Sequence, residues 1–441
     1  MINSKKKGFT IVELVIVIAV VAILAAVLIP TFSNLIKKAN ESADIQAVRN
    51  MNVYLAQAKV TDDVDSILDV YEIFEESNYV VENYKPLYKD RYFFYDKQRN
   101  QILYVDENEK VLFPSNLKDV TQDNNDWFSL SMEVKTEKPS DYTSGNNYNV
   151  TSGSEFAWVI EDLNEKFSSG QISGVVTITL KNDLDLKGAS VCLENIPGNV
   201  NLTITSENNV TIKNITNVDY TIKGDGETVG HKGIYGSALI GNMIGKLRIE
   251  NITFENINVK NTHVSGLAIL VGVQSGEFYV NNVTIKNSTV IGHRNVGAVI
   301  GNASSVLLES ENGVTLENVN IKTVGGNAGI VVGYSNTTID RINYDSDSGE
   351  FISLKFPVEV INCTLSIYEC EQNTGYAPNG DKLGLQDGSN LMYSWYESNG
   401  VKTYYCSIKD NSQNLEKSSK YYFENALIVY HYDGKNVAGI K

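Results

Sequence analysis

The sequence predicts an α+β N-terminal part, one long kinked helix with a small antiparallel sheet, followed by a mainly β parallel solenoid. Three observations carry that prediction. An apolar run from Phe9 to Ile29 passes into an amphipathic stripe that ends near Lys59. Three short apolar or aromatic runs follow, at Tyr92–Tyr95, Ile102–Val105 and Val111–Phe113. A pentapeptide of the form V-T-I-K-N then recurs from Val210 onward at intervals that centre on 31 residues.

The apolar run is interrupted only by Thr10 and Glu13, and at about 1.5 Å per residue it is long enough for the hydrocarbon core of a bilayer. A carboxylate there costs roughly 2.5–3.5 kcal/mol on insertion scales, so Glu13 reads as functional. Lys5, Lys6 and Lys7 precede the run and no acid does before Glu13, which predicts a single pass with a cytoplasmic N-terminus and an external remainder. Beyond Pro30, Phe32, Leu35, Ile36, Ala39, Ala43, Ala47, Met51, Leu55 and Ala58 keep three- and four-residue spacing. The helix is therefore expected to continue through a kink at Pro30 and to be covered by a head in its second half.

Residues 62–78 start with acids and carry apolar residues at helical spacing, a short helix; the three aromatic runs, separated by K-Q-R-N-Q and D-E-N-E-K, read as a meander. Residues 118–152 are rich in Asn, Ser and Asp and read as a linker.

The repeat follows. Its pentapeptides start at Val210, Ile252, Val283, Val314 and Val358, with steps of 42, 31, 31 and 44 residues, and Gly241, Gly272, Gly301 and Gly333 recur in step. A period near 31 built of β-branched alternation, Asn corners and Gly turns marks a β-solenoid. Val283 and Ile285 point inward, Thr284 and Lys286 outward. Asn214, Asn256, Asn287, Asn318 and Asn362 occupy one place per repeat, where stacked amides would form a ladder. Residues 156–167 read as an amphipathic helix capping the open end, with V-T-I-T-L-K-N-D-L-D-L as the first coil. The two long steps place insertions at 216–235 and 340–353, loops of the kind that form a binding face. After Ser366 the pattern dissolves into a Tyr-rich tail.

Two resemblances attach to these residues. The segment K-K-K-G-F-T-I-V-E-L, with Pro30 seventeen residues after Glu13, resembles the signal of type IV pilins and type II secretion pseudopilins. It implies that a prepilin peptidase cuts between Gly8 and Phe9 and N-methylates Phe9, and that Glu13 pairs with the N-terminal amine of a neighbouring subunit. An ordinary signal peptide would lack the acid and would end in an A-x-A site, which is not found before position 40. The repeat resembles the right-handed parallel β-helix, with its asparagine ladder, of polysaccharide lyases and surface adhesins. The chain then divides into a leader (1–8), the pilin helix (9–59), a small head (60–117), a linker (118–152), the β-helix (153–366) and a Tyr-rich cap or β subdomain (367–441).

Charge narrows the function. Residues 1–59 hold seven Lys/Arg against three Asp/Glu, a balance of +4; with −16 in total, residues 60–441 carry −20. Such a surface repels phosphate backbones, so nucleic acid is not an expected partner. Catalysis is not expected either. Asp183 and Asp185 end a strand, Asp340, Asp345 and Asp347 share a loop, and none repeats across coils beside Arg248, Arg294 or Arg341. His231, His263 and His293 recur at 32 and 30 residues, but no acid or Cys cluster completes a metal site, so neither metal nor other cofactor is expected. Cys192, Cys363, Cys370 and Cys406 read as reduced, buried thiols.

The expected function is a non-catalytic, membrane-inserted and then filament-incorporated subunit, minor and at the tip, displaying an extracellular adhesion or binding module. Its expected partners are the prepilin peptidase, other pilin or pseudopilin subunits, the membrane, and a surface carbohydrate or other cell-surface ligand. The alternatives are a pilin-anchored polysaccharide-degrading enzyme and a membrane-anchored surface protein that never polymerises.

Overall fold

The structure is a computed structural model. It describes residues 11–58, 64, 66–79, 84–118, 120, 126–142, 144–221, 228–230, 239–303, 308, 310–323, 328–335, 356–370, 395–398, 401–404, 421–424 and 427–433. It consists of one long N-terminal helix with a small α+β head, followed by a mainly β part built of parallel sheets.

Helix α1 spans Ile11–Ala58 and runs through Pro30 without a break. At about 1.5 Å per residue its 48 residues extend about 72 Å. Its two halves differ. From Ile11 to Ile36 the large apolar side chains are exposed, from 81% at Ile11 to 59% at Ile36, whereas Val48, Met51 and Leu55 are fully buried. Among the described residues the head therefore covers α1 from about Asp44, and Phe32, Leu35, Ile36 and Ala43 of the expected stripe stay exposed.

Helix α2, Ile67–Glu76, begins later than the acids at Asp62 and Asp63 suggest, because Ser66 caps it. The Ser66 hydroxyl accepts from the Asp69 amide at 3.4 Å, and the Asp69 carboxylate accepts from the Ser66 amide at 2.8 Å, a reciprocal capping box. Strands β1 (Arg91–Asp96), β2 (Gln101–Asp106) and β3 (Val111–Phe113) form the antiparallel meander. A fourth strand, β4 (Trp127–Ser129), pairs with β1 and gives the order β3-β2-β1-β4. Two side chains of α1 fasten the sheet and its flanking loop to the helix. Asn52 makes both hydrogen bonds to the Ile102 backbone, at 2.7 and 3.0 Å. The buried Asp44 carboxylate accepts from the Leu87 and Tyr88 amides and the Tyr104 hydroxyl.

The stretch expected as a linker is thus not one. It supplies β4 and also the strand Asn147–Val150, which pairs in parallel with Gly174–Leu180. Its polar composition misleads because the strands are short and their apolar residues few: Trp127, Phe128, Tyr148 and Val150 are all buried.

Three parallel sheets make up most of the rest, beside a separate antiparallel pair, Trp395–Ser398 with Val401–Tyr404. The first receives Asn147–Val150, Gly174–Leu180, Val200–Lys213, Lys246–Glu255, Phe278–Lys286, Val314–Glu317, Val358–Ile361 and Tyr421–Glu424. The second receives Thr216–Thr221, Asn258–Leu267, Thr289–Val296, Asn320–Thr323, Thr364–Cys370 and Leu427–Asp433, with Thr228–Gly230 antiparallel at its edge. The third receives Leu193–Ile196, Ile240–Met243, Val271–Gln274, Ile300–Ala303 and Val332–Ser335. Successive repeats give one strand to each sheet in turn, in the register Ile252↔Val283↔Val314↔Val358. Inward residues such as Val283 and Ile285 are buried in one continuous core. The Gly column of the third sheet is set by backbone crowding: a Cβ on Gly301 would lie 2.3 Å from the Leu267 amide nitrogen.

The sheets extend past both expected ends. They begin at Asn147, before helix α3 (Gly153–Ser168), so V-T-I-T-L-K-N-D-L-D-L is not the first strand. Helix α3, capped by the Ser152 hydroxyl, lays Phe156, Val159, Ile160, Leu163 and Phe167 into the same core. At the other end Tyr421–Glu424 and Leu427–Asp433 add a strand to the first and second sheets, so this part of the Tyr-rich tail continues the sheets, while Trp395–Ser398 and Val401–Tyr404 pair with each other. Val358↔Tyr421 pairing lies 63 residues apart in sequence, two periods, which is why the repeat vanishes from view after Ser366. The 340–353 insertion lies outside the described residues, as does much of 216–235.

Candidate functional site

Two sites emerge, the apolar N-terminal helix and a cleft between the head and the parallel sheets. Glu13 lies in the first turn of α1, amid side chains that are exposed in the isolated chain. Gly8 and Phe9 lie outside the described residues. α1 is long and apolar enough to cross a membrane, with a mean hydropathy of 3.2 in its most apolar window.

The predicted asparagines share one backbone geometry. Asn214, Asn256, Asn287, Asn318 and Asn362 all have φ between 52° and 61°, the left-handed region that Asn tolerates best after Gly. Their amides stack in two runs rather than one. Asn256 donates to Asn214 at 2.8 Å and Asn214 to Asp185 at 2.9 Å; Asn318 donates to Asn287 at 3.0 Å and Asn287 to Glu255 at 3.2 Å. The break falls where Glu255 takes the Asn287 amide that would otherwise reach Asn256.

A second asparagine column went unread. Asn209, Asn251 and Asn282 also have φ of 52–57°, and Gly313 takes the same place with φ 46°. Asn282 donates to Asn251 at 2.9 Å, and Asn251 to the Ser206 carbonyl at 3.2 Å. These residues bend the first-sheet strands. The signal was in the repeat: each stands immediately before Val210, Ile252, Val283 or Val314.

The asparagine corner faces the head. Ser66, Leu68, Asp69, Lys97 and Asp126 on one side, and the Asn256–Asn287–Asn318 corner with Asn258, Thr289, Ile291, Asn320 and Lys322 on the other, line a cleft of about 650 Å³. The walls are joined by direct contact. Lys213 reaches Asp126 at 3.4 Å and Asp185 at 3.5 Å, Lys187 pairs with Glu109, and the Ser129 amide donates to the Lys187 carbonyl at 2.7 Å. Val218 and Ile291 of the second sheet pack into the head core with Tyr71 and Phe74.

Electrostatics follow from burial. Desolvation raises the pKa of the Asp185 carboxyl, against the Lys187 amide, Lys213 and Asn214. Burial lowers the Lys213 ammonium, but Asp185 and Asp126 outweigh it and its pKa is raised. Asp183 accepts from the Thr211 amide at 2.7 Å, so both acids of the K-N-D-L-D-L segment hold turns together. Burial pushes the Cys363 thiol up to about 11. Cys192 is also buried, Cys370 lies in a second-sheet strand, and Cys406 is outside the described residues.

The histidines are not brought together as a described site. His231 lies outside the described residues, and His263 and His293 lie in neighbouring strands whose register shifts between Asn261↔Gly292 and Ser265↔Arg294. Among the described residues no cluster of three or more His, Cys, Asp or Glu is placed to hold a metal. Asp340, Arg341, Asp345 and Asp347 are outside them.

Comparison with known proteins bears on the first site. The family described as the prokaryotic N-terminal methylation motif matches residues 3–29. That motif supports a type IV pilin-like subunit. Such a motif implies processing by a prepilin peptidase and assembly with other pilin subunits in a membrane, to which the apolar part of α1 anchors the chain. No curated protein matches the chain. A solved structure, that of rice weevil pectin methyl esterase, covers 66% of this chain and 91% of its own at 11% identity, with a TM-score of 0.21, too low to bear on fold or activity.

Proposed function

We propose that the chain is a minor, tip-located subunit of a type IV pilus or pseudopilus that displays its parallel-sheet part, a right-handed β-helix, as a non-catalytic extracellular adhesion or binding module. The observation that carries this reading is the pairing of a methylation motif with a helix whose first 26 described residues expose nearly all their apolar side chains. That surface needs a bilayer or neighbouring helices to cover it, and the motif supplies the route from one to the other. The strand order, one strand per sheet in each repeat, supports the β-helix, and the core shared by head and sheets supports display at a fixed angle from the helix. The bulk of a large β part favours the tip, since one on every subunit would crowd a helical filament.

Mass spectrometry of the mature chain tests the processing on which the reading depends. The expected first residue is N-methylated Phe9. A surface-exposed chain that keeps Met1 or Lys7 at its N-terminus contradicts the assignment.

A further inference from the structure

Which partner chemistry fits the cleft between head and sheets can be read from the groups left over inside it. Its acids are engaged. Asp69 closes the capping box with Ser66, Asp126 meets Lys213 at 3.4 Å, and Glu255 accepts from Lys286 at 3.2 Å and from Asn287. Much of its amide lining is engaged as well, in the stacks Asn256–Asn214 and Asn318–Asn287. By contrast, the side chains of Lys97, Thr289, Asn320 and Lys322 line the cleft and make no hydrogen bond or ion pair among the described residues. Both lysines are half-buried, Lys97 at the end of β1 on the head, Lys322 in the second sheet. Thr289 and Asn320 are direct partners on adjacent strands, as are Ile291 and Lys322.

The unspent chemistry is therefore two cations, an amide and a hydroxyl. Amide and hydroxyl each donate and accept, which matches a ligand rich in hydroxyls; the ammonium groups only donate, which matches an anionic acceptor. Only Leu68 and Ile291 among the lining residues are apolar, which disfavours a lipid or an apolar small molecule. The volume of about 650 Å³ lies in the range of small-ligand sites. The lining sets three lysines, Lys97, Lys213 and Lys322, against three acids, Asp69, Asp126 and Glu255, so the cleft does not itself carry the net −20 of residues 60–441, and charges farther than about 8 Å are largely screened at physiological ionic strength.

From this we infer that the cleft binds an acidic sugar unit of a polysaccharide, its carboxylate held by Lys97 and Lys322 and its hydroxyls by Thr289 and Asn320. Binding is non-covalent, and the head is half of the site, so the ligand is gripped only while head and sheets stay docked. The inference rests on the proposed reading of the β part as a display module.

A matched pair of probes tests it: a β-1,4-mannuronate hexasaccharide and β-1,4-mannohexaose, titrated calorimetrically into the full chain in lipid nanodiscs. The acidic hexasaccharide should bind at least about tenfold tighter than the neutral one, the scale of a hydrogen bond to a charged group. Lys322→Gln and Lys97→Gln should each weaken the acidic probe several-fold and leave the neutral one unchanged, whereas Lys110→Gln, on the exposed β2–β3 turn, should change neither. Equal affinity for both probes, no binding of either, or insensitivity to Lys97→Gln and Lys322→Gln overturns the inference. Filament incorporation of the same variants is scored alongside. Wild-type incorporation with no saccharide binding discards the ligand alone, while loss of both discards the display reading with it.

Discussion

The two halves of α1 share a helix and an apolar composition, yet they solve the solvent problem in opposite ways. From Val48 to Leu55 the helix is amphipathic, and its stripe is buried by α2 and the meander of the same chain. From Ile11 to Ile36 it is apolar nearly all round, and among the described residues its large apolar side chains stay exposed. An amphipathic face specifies an intramolecular partner; a helix apolar all round specifies a partner outside the chain, lipid or other helices. The charged exception in that half, Glu13, then has to answer to the outside partner too.

Truncating one residue in each half should separate the two behaviours. Leu55→Ala, 1% exposed, should cost the head about 2–4 kcal/mol, as buried Leu truncations do. Ile18→Ala, 59% exposed, should leave thermal unfolding of the detergent-solubilised subunit unchanged. Comparable losses would mean that the first half packs on its own chain after all.

A smaller effect should come from the parallel sheets, which, like the second half of α1, find their partners within the chain. Asn251→Leu removes the hydrogen bonds to the Ser206 carbonyl and from the Asn282 amide and forces a branched residue to φ 57°, at a cost of about 1–3 kcal/mol. Thr284→Ala, on the outer face of the same sheet, should be nearly neutral in the same thermal melts. Equal effects would mean that the left-handed asparagines are incidental to the bends.

The smallest effect concerns Asp185, at the seam between head and sheets. Its folded-state pKa is raised by desolvation, so the folded chain holds that proton more tightly than the unfolded chain. That contribution is present at low pH and lost as pH rises through the shifted value, from about 4 upward. Asp185→Asn keeps an acceptor for the Asn214 and Lys187 amides and removes the titration. Its stability should therefore fall less than wild type's between pH 4 and pH 6, by chemical denaturation at each pH. An identical slope would place the pH dependence elsewhere.

How much of this was legible follows from the length scale of each signal. The long helix, the meander and the period of 31 are patterns of local sequence, and Pro30 did not stop the stripe that continues beyond it. The extent of the head's cover on α1 was not legible, because it depends on where Asp44 and Asn52 meet the loop and sheet, contacts 43 to 60 residues apart in sequence. Strand β4 and the pairing of Asn147–Val150 were hidden by polar neighbours, and the last strands by a 63-residue step. Lys97 and Lys322 carried no motif at all. They line one cleft because head and sheets dock, through Val218 and Ile291 in the head core and through the Lys213–Asp126 and Lys187–Glu109 pairs.

Whether the exposed half of α1 works between subunits is decided by replacing its one acid. Glu13→Val removes a carboxylate costing about 2.5–3.5 kcal/mol in the bilayer, so membrane insertion should hold or improve. Quantifying the variant in the membrane and in sheared filaments of the same cells gives the answer. The membrane level should match wild type while filament incorporation falls by about tenfold or more, since a partner charge left alone in a dry interface costs several kcal/mol. Glu13→Val subunits found in filaments at the wild-type level would contradict it.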